Sequence, residues 1–208
     1  AQLAQAEEVF QNRTRAYWMA QGVGMVAPQT VWFSHDTVLA SGVEIEPNVV
    51  FKPGVKVAEN ATIKAFSHLE GSTIGEGAVI GPFARLRGGT YIGENAEIGS
   101  FVVTKKAHIG KNTKAKQLNC LVDCTIGESV NIGGGAMIAN YHHFRKEKAE
   151  THIKDGASIG SSSTLVAPVT IGEKAFVAAG TVVRQSVEDG SLIVAKPEIV
   201  IKPNYGNK

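Results

Sequence analysis

The sequence predicts an all-β chain wound as a parallel β-helix, a solenoid of short strands joined by tight corners. Three observations predict it. Branched apolar residues recur every sixth position along most of the chain, a glycine often follows each of them, and a small or β-branched residue stands four positions after them. Composition agrees, since 208 residues include 23 glycines with only 7% aromatic and 19% charged residues, unlike a helical bundle built on Ala, Leu, Glu and Lys.

Residues 1–24 carry no such period. Leu3, Val9, Phe10, Tyr17 and Trp18 stand there among Ala, Glu, Gln and Arg, which predicts a helix ending near Gly22 or Gly24. Because the chain begins at Ala1 already in this pattern, the helix reads as a linker from an upstream part. Residues 25–196 are the solenoid. The anchors run through Ile45, Phe51, Val57, Ile63 and Leu69, then Ile74, Ile80, Leu86, Ile92 and Ile98, then Val103, Ile109, Ala115 and Leu121, with single-residue contractions between runs. They continue through Ile126, Ile132 and Ile138, and from Ile153 through Ile159, Leu165, Ile171, Val177 and Val183.

A period of six fits neither an amphipathic helix nor a sheet closed by hairpins. It fits three strands per coil, each burying one large side chain, with glycine giving the corner its backbone freedom and the small residue filling the inside of the turn. Stacked coils then pair their strands at roughly 4.8 Å. The polar, basic stretch 139–152, "ANYHHFRKEKAETH", interrupts the repeat and reads as a side loop, a common place for function. Residues 197–208 read as an arm leaving the prism.

A net charge of +2 gives no electrostatic reason to bind nucleic acid or a membrane surface. There is neither an 18-residue apolar run nor a signal-peptide pattern, so the chain reads as soluble and cytoplasmic. Cys120 and Cys124 have no second pair to complete a zinc site and read as reduced bystanders. His35, His68, His108 and His152 stand at separate corners or strand ends, without the spaced triplet that a metal centre needs. Gly133, Gly134 and Gly135 lack the Lys-Ser/Thr pair and following helix of a phosphate loop and read as a corner close to a ligand.

Several strings are more specific: "QLAQAEEVFQNRTRA", "FSHLEGSTIGEGAVIGPFARLRGG", "GSFVVTKKAHIGKNTKAK", "VNIGGG", "ANY" and "STLVAPVTIG". In these the chain resembles the C-terminal acetyltransferase domain of the bifunctional N-acetylglucosamine-1-phosphate uridyltransferase / glucosamine-1-phosphate N-acetyltransferase family. The resemblance implies a left-handed β-helix, against the usual right-handed crossover, and an upstream nucleotidyltransferase domain preceding the helix. It also implies a homotrimer with sites between subunits, acetyl-CoA as co-substrate, an amino sugar phosphate as acceptor, and no metal in this domain.

Carried over by motif, Arg87 and Lys105 hold the sugar phosphate, for which a guanidinium fork and a compact ammonium are suited. Asn131, Asn140 and Tyr141 contact the amino sugar and acetyl group. Gly134, where the family has Ala, lines the cofactor path with Ser161 and Ala179. Lys146 or Lys148 supplies a basic contact from the loop, and Lys196 replaces a family Arg near the cofactor phosphates.

One position departs in a way that matters chemically. The amine must lose a proton before it attacks the thioester, and the family uses a His in an "HLTY"-like string for this. Here the string is "QLNC": Gln117 stands at the base position and Cys120 at that of the Tyr, while "NYHH" replaces "NYDG". Three readings follow. Gln117 orients the amine or a water at a reduced rate; His142 or His143 serves as the base, with a different amino sugar or nucleotide-sugar as acceptor; or the domain is a noncatalytic trimerisation scaffold.

Overall fold

The computed structural model describes residues 1–196; the arm expected at 197–208 lies outside them. One helix, α1 (Gln2–Ala20), precedes a left-handed parallel β-helix of short strands. The prism has three faces. Face 1 is a ten-stranded sheet running from Gly24–Met25 to Leu192–Ile193. Faces 2 and 3 are joined into one fourteen-stranded sheet because Val103–Ile109 and Cys120–Ile126 run unbroken around the corner between them.

Register is kept from coil to coil. On face 1, Ile63 pairs with Ile80, Ile80 with Ile98, Ile98 with Ala115 and Ala115 with Ile132, all in parallel. The anchors form the core, and the small residues four positions later, such as Ala78, Ala96, Ala136 and Ala157, are fully buried inside the corners. The side loop takes the form of a β-hairpin, Tyr141–His142 against Glu147–Lys148, raised from the corner between faces 2 and 3.

Three expectations need correction. Val103 is not an anchor: its side chain points outward, and the inward position belongs to Thr104, 0% exposed, whose Oγ1 lies 2.9 Å from Thr90 Oγ1. The contraction therefore falls one strand later, and a hydrogen-bonded pair replaces two apolar side chains. Helix α1 leaves Leu3, Val9 and Tyr17 exposed and packs Trp18 against the core. It docks through Gln11, which donates to Phe33 O at 2.8 Å and accepts from Phe33 N at 2.9 Å, and through Arg15, whose Nε donates to Val31 O at 3.0 Å. The first coil has no coil before it, so its free backbone groups are what the helix must satisfy. His68 and His108 lie on strands rather than at corners.

The glycines also have a different reason. Gly75, Gly93, Gly110 and Gly160 are not in the left-handed region; a Cβ at Gly110 would lie 2.5 Å from the Gly127 carbonyl of the next coil. Close stacking, not corner freedom, excludes a side chain there. The left-handed corner positions are held by other glycines, among them Gly42, Gly77, Gly135 and Gly156, and by residues such as Asn60, Asn95, Asn112, Phe83 and Leu118. Gly110→Ala is expected to lower unfolding free energy by about 1–3 kcal/mol through overpacking. Gly88→Ala, with nothing within 4 Å of its new methyl, should be close to neutral in the same denaturant titration.

Candidate functional site

Coil stacking converts sequence spacing into vertical columns, and the candidate residues sort into columns on either side of face 2. Leu86 pairs with Thr104 and Thr104 with Leu121. Arg87 and Lys105, each one residue further on, therefore stack one coil apart and point outward beside the corner into face 3. Arg87 N donates to Thr104 O at 3.0 Å, and the Arg87 carbonyl accepts from Thr90 Oγ1 at 2.7 Å, so the backbone beneath the guanidinium is held on both sides. Two half-buried cations with adjacent Cα positions have the chemistry to hold a doubly charged oxyanion.

The next two coils continue this corner. Asp123, in a left-handed conformation, accepts a hydrogen bond from Asn140 Nδ2, and Lys148 Nζ stands 4.0 Å from its Oδ2. Asp123 thus ties down both strands of the hairpin, since Asn140 enters it and Lys148 leaves it. Sequence reasoning missed Asp123. The only signal was its position one shortened coil before "ANY", readable once the stacking register is known.

The other side of face 2 carries the second column. Ser100 pairs with Gln117, Gly135 N donates to Gln117 O, Ser162 N to Gly134 O, and Gly180 N to Ser161 O. Gln117, Gly134, Ser161 and Ala179 are therefore successive rungs of one edge. Lys196 closes it, two residues past the rung where Ala178 N donates to Ile193 O. A Cβ at Gly134 would lie 3.0 Å from both Cγ and Nε2 of Gln117, so the Gln117 side chain rests in space that only glycine leaves open.

Within one chain, the structure brings together Arg87, Lys105, Asn140 and Lys148 at one corner and Gln117, Gly134, Ser161, Ala179 and Lys196 at the other. It does not bring the two groups together. Asn131 lies on the outer surface of face 1, paired with Lys114 and Ser158. Tyr141, His142, His143 and Lys146 are exposed on the hairpin, with His142 Nδ1 accepting from Arg145 N at 3.2 Å. Both histidines thus stand across face 2 from Gln117.

Between the corners, face 2 presents two outward columns: Val50, His68, Arg85, Val103, Cys120, Met137, Thr164 and Val182 in one, and Arg87, Lys105, Val122 and Ala139 in the other. Burial raises the Cys120 thiol pKa against the opposing pull of Arg87, and burial pushes Cys124 up to about 12. Both remain thiols at neutral pH and are poor nucleophiles. Among the described residues no cluster of three metal-ligating side chains occurs, and no helix is long and apolar enough to cross a membrane.

Asp123→Ala is expected to free the hairpin from the prism. Tryptic cleavage at Arg145, Lys146 or Lys148 should then accelerate about tenfold by local opening, read by timed proteolysis. An unchanged cleavage rate would mean that the hairpin holds itself.

Comparison with known proteins agrees with the fold. The family model "Bacterial transferase hexapeptide (six repeats)" matches residues 71–106. The chain is 51% identical over its full length to the bifunctional protein GlmU of Sphingopyxis alaskensis and 49% identical to that of Zymomonas mobilis, covering 46% of each. GlmU of Agrobacterium fabrum is 46% identical over 98% of this chain and 44% of its own length. The chain thus spans about half the length of the curated relatives it matches. Among solved structures, LpxA from Acinetobacter baumannii shares the fold, with a TM-score of 0.52 and 16% identity over 81% of this chain and 70% of that one.

Proposed function

We propose that this chain, similar over its full length to about half the length of the GlmU relatives and carrying the hexapeptide repeat, transfers the acetyl group of acetyl-CoA to the amine of glucosamine-1-phosphate, feeding UDP-N-acetylglucosamine synthesis in the cytoplasm. The observation that carries this reading is the pair of columns flanking face 2. Arg87 and Lys105 offer a phosphate two stacked cations, and the Gln117 to Lys196 edge offers a long thioester backbone groups at corner after corner with a cation at its end.

Since the two columns stand on separate corners, the working site is composite, with one copy supplying the phosphate corner and a neighbour in a homotrimer supplying the cofactor edge. Support for a covered edge comes from Phe66, Phe83 and Phe101. They stack at 5.0 and 5.2 Å along the corner that leads up to Gln117, yet are 53%, 44% and 57% exposed and all left-handed. Bulky residues at positive φ cost free energy, and a ladder of them facing water is best accounted for by a partner. Phe83→Glu is expected to turn trimer into monomer by analytical ultracentrifugation without changing the circular dichroism spectrum, and to abolish transfer.

In the reaction, the amine nitrogen attacks the thioester carbon, the C–N bond forms as the C–S bond breaks, and coenzyme A leaves as its thiol. Arg87 and Lys105 hold the phosphate, Asn140 and Tyr141 stand on the phosphate side to orient the sugar, and the amides of the Gly134 and Ser161 rungs line the thioester. Gln117 orients the amine through its carbonyl oxygen but cannot take a proton. The free amine fraction of the substrate, which titrates near 8 for an ordinary α-amino group (roughly), therefore sets the rate. Activity rises tenfold per pH unit below that value and levels off above it.

Gln117→His combined with Gly134→Ala restores both a base and the Cβ that Gln117 displaces. The double variant is expected to raise the rate at pH 7 by about 10²-fold and to move the lower limb of the profile to about 6.5, read by thiol release from acetyl-CoA across pH 6–9. Replacing His142 and His143 together by Ala should leave the wild-type profile's shape unaltered; a lost limb would transfer the base role to the hairpin.

A further inference from the structure

Asp123 occupies the corner one coil above Lys106, and both residues are in the left-handed region. Their side chains part there. Lys106 is exposed, whereas the Asp123 side chain is only 11% exposed beneath the hairpin and accepts from Asn140 Nδ2. A carboxylate can only accept, so it holds the Asn140 amide in one of its two orientations, with the nitrogen inward and the oxygen outward. The Asn140 carbonyl accepts from Ala149 N at 3.0 Å, which fixes the backbone that carries the amide. Among the described residues no group donates to Asn140 Oδ1. A half-buried amide oxygen is thus presented at the corner that already carries Arg87 and Lys105.

Height along the prism relates this oxygen to the rest of the site. Lys105 pairs with Val122, so Asp123 lies one coil, about 4.8 Å, above the upper of the two phosphate cations. Gln117 and Asp123 belong to the same coil, and in a cyclic assembly of prisms packed side by side each copy keeps its heights. The partner subunit's Gln117 then meets this corner at the level of Asp123. The amine of the amino sugar, on the carbon next to the one that bears the phosphate, reaches that level when the phosphate rests on Arg87 and Lys105. A neutral primary amine has two N–H groups and one lone pair. With one N–H on the partner subunit's Gln117 and the other on Asn140 Oδ1, the lone pair is left to face the thioester. Resting on the acetyl-transfer reading above, we infer that Asp123 is a positioning residue, which locks Asn140 as a hydrogen-bond acceptor for the amine and so aims the attacking lone pair. An Asn140 amide turned over would donate to that lone pair and occupy it.

The test sets Asp123→Asn beside the exchanged pair Asp123→Asn/Asn140→Asp, with acetyl-CoA and glucosamine-1-phosphate, on the oligomer as purified. An amide at 123 still accepts from Asn140 but equally donates to it, so the orientation is no longer sorted, while the lost attraction to the exposed Lys148 counts for little. The expected result for Asp123→Asn is kcat lowered about tenfold, the worth of one directed hydrogen bond. KM for glucosamine-1-phosphate should change little, because Arg87 and Lys105 carry the binding, and tryptic cleavage of the hairpin should stay as slow as in the wild type. In the exchanged pair the carboxylate at 140 accepts from the amide at 123 and keeps an oxygen outward, so most of the lost kcat should return. An unchanged kcat in Asp123→Asn, or a loss that the exchanged pair does not recover, overturns the inference and leaves the acetyltransferase reading standing. A loss accompanied by faster cleavage also overturns it and makes Asp123 a hairpin anchor only. No transfer by the wild-type enzyme overturns both.

Discussion

Everything in this molecule depends on coils stacking at one strand spacing. A parallel β-helix has no loose register: each backbone amide finds its carbonyl on the coil above or below, and a shift of one residue turns an inward side chain outward. The constraint is visible where it is tightest. At Gly93 and Gly160 a single added carbon would lie within 2.6 and 2.4 Å of the next coil's backbone, so glycine marks where two coils touch. The same constraint builds the site. Residues separated by one coil length in sequence become neighbours, and a face or corner becomes a column of chemically related groups.

The repeat made the fold legible, because an isoleucine or leucine every sixth position has no other use than a three-faced interior. What the period could not show was which of two adjacent residues turns inward where a coil contracts. Val103 is the more apolar, yet Thr104 is buried, because the Thr90 hydroxyl opposite gives it a partner and removes the cost of burying it. Helix α1 was legible as a helix, while its docking was not. Apolar residues were the natural candidates for a contact surface, but the first coil exposes backbone groups, and only Gln11 and Arg15 answer them.

The site was legible in part and for a different reason. Arg87, Lys105, Gln117, Gly134, Ser161 and Ala179 were identified through motif strings, and the structure sorts them without rearrangement into two columns. Asp123 was not identified, because nothing in "LVDCTIG" distinguishes a corner carboxylate that anchors a hairpin from a solvated one. Its partners Asn140 and Lys148 lie beyond a whole coil, and only the stacking register joins them.

The exchange at the base position is best understood as a pair of residues. Gln117 is longer than the His it replaces by resemblance, and its chain lies where a Cβ at 134 would stand. With Ala at 134, Gln117 would have to give way by a few tenths of an ångström; with His at 117 and Gly at 134, the Cβ that Ala supplies would be missing beside the imidazole. On the proposed reading the two positions repack together, and a site so repacked keeps its shape while giving up a proton acceptor. Loss of a base without loss of packing moves the burden of deprotonation onto the substrate amine. On that reading the exchange costs rate at neutral pH and little else, since the column of backbone amides from Gly134 to Ala179 and the two stacked cations are untouched by it.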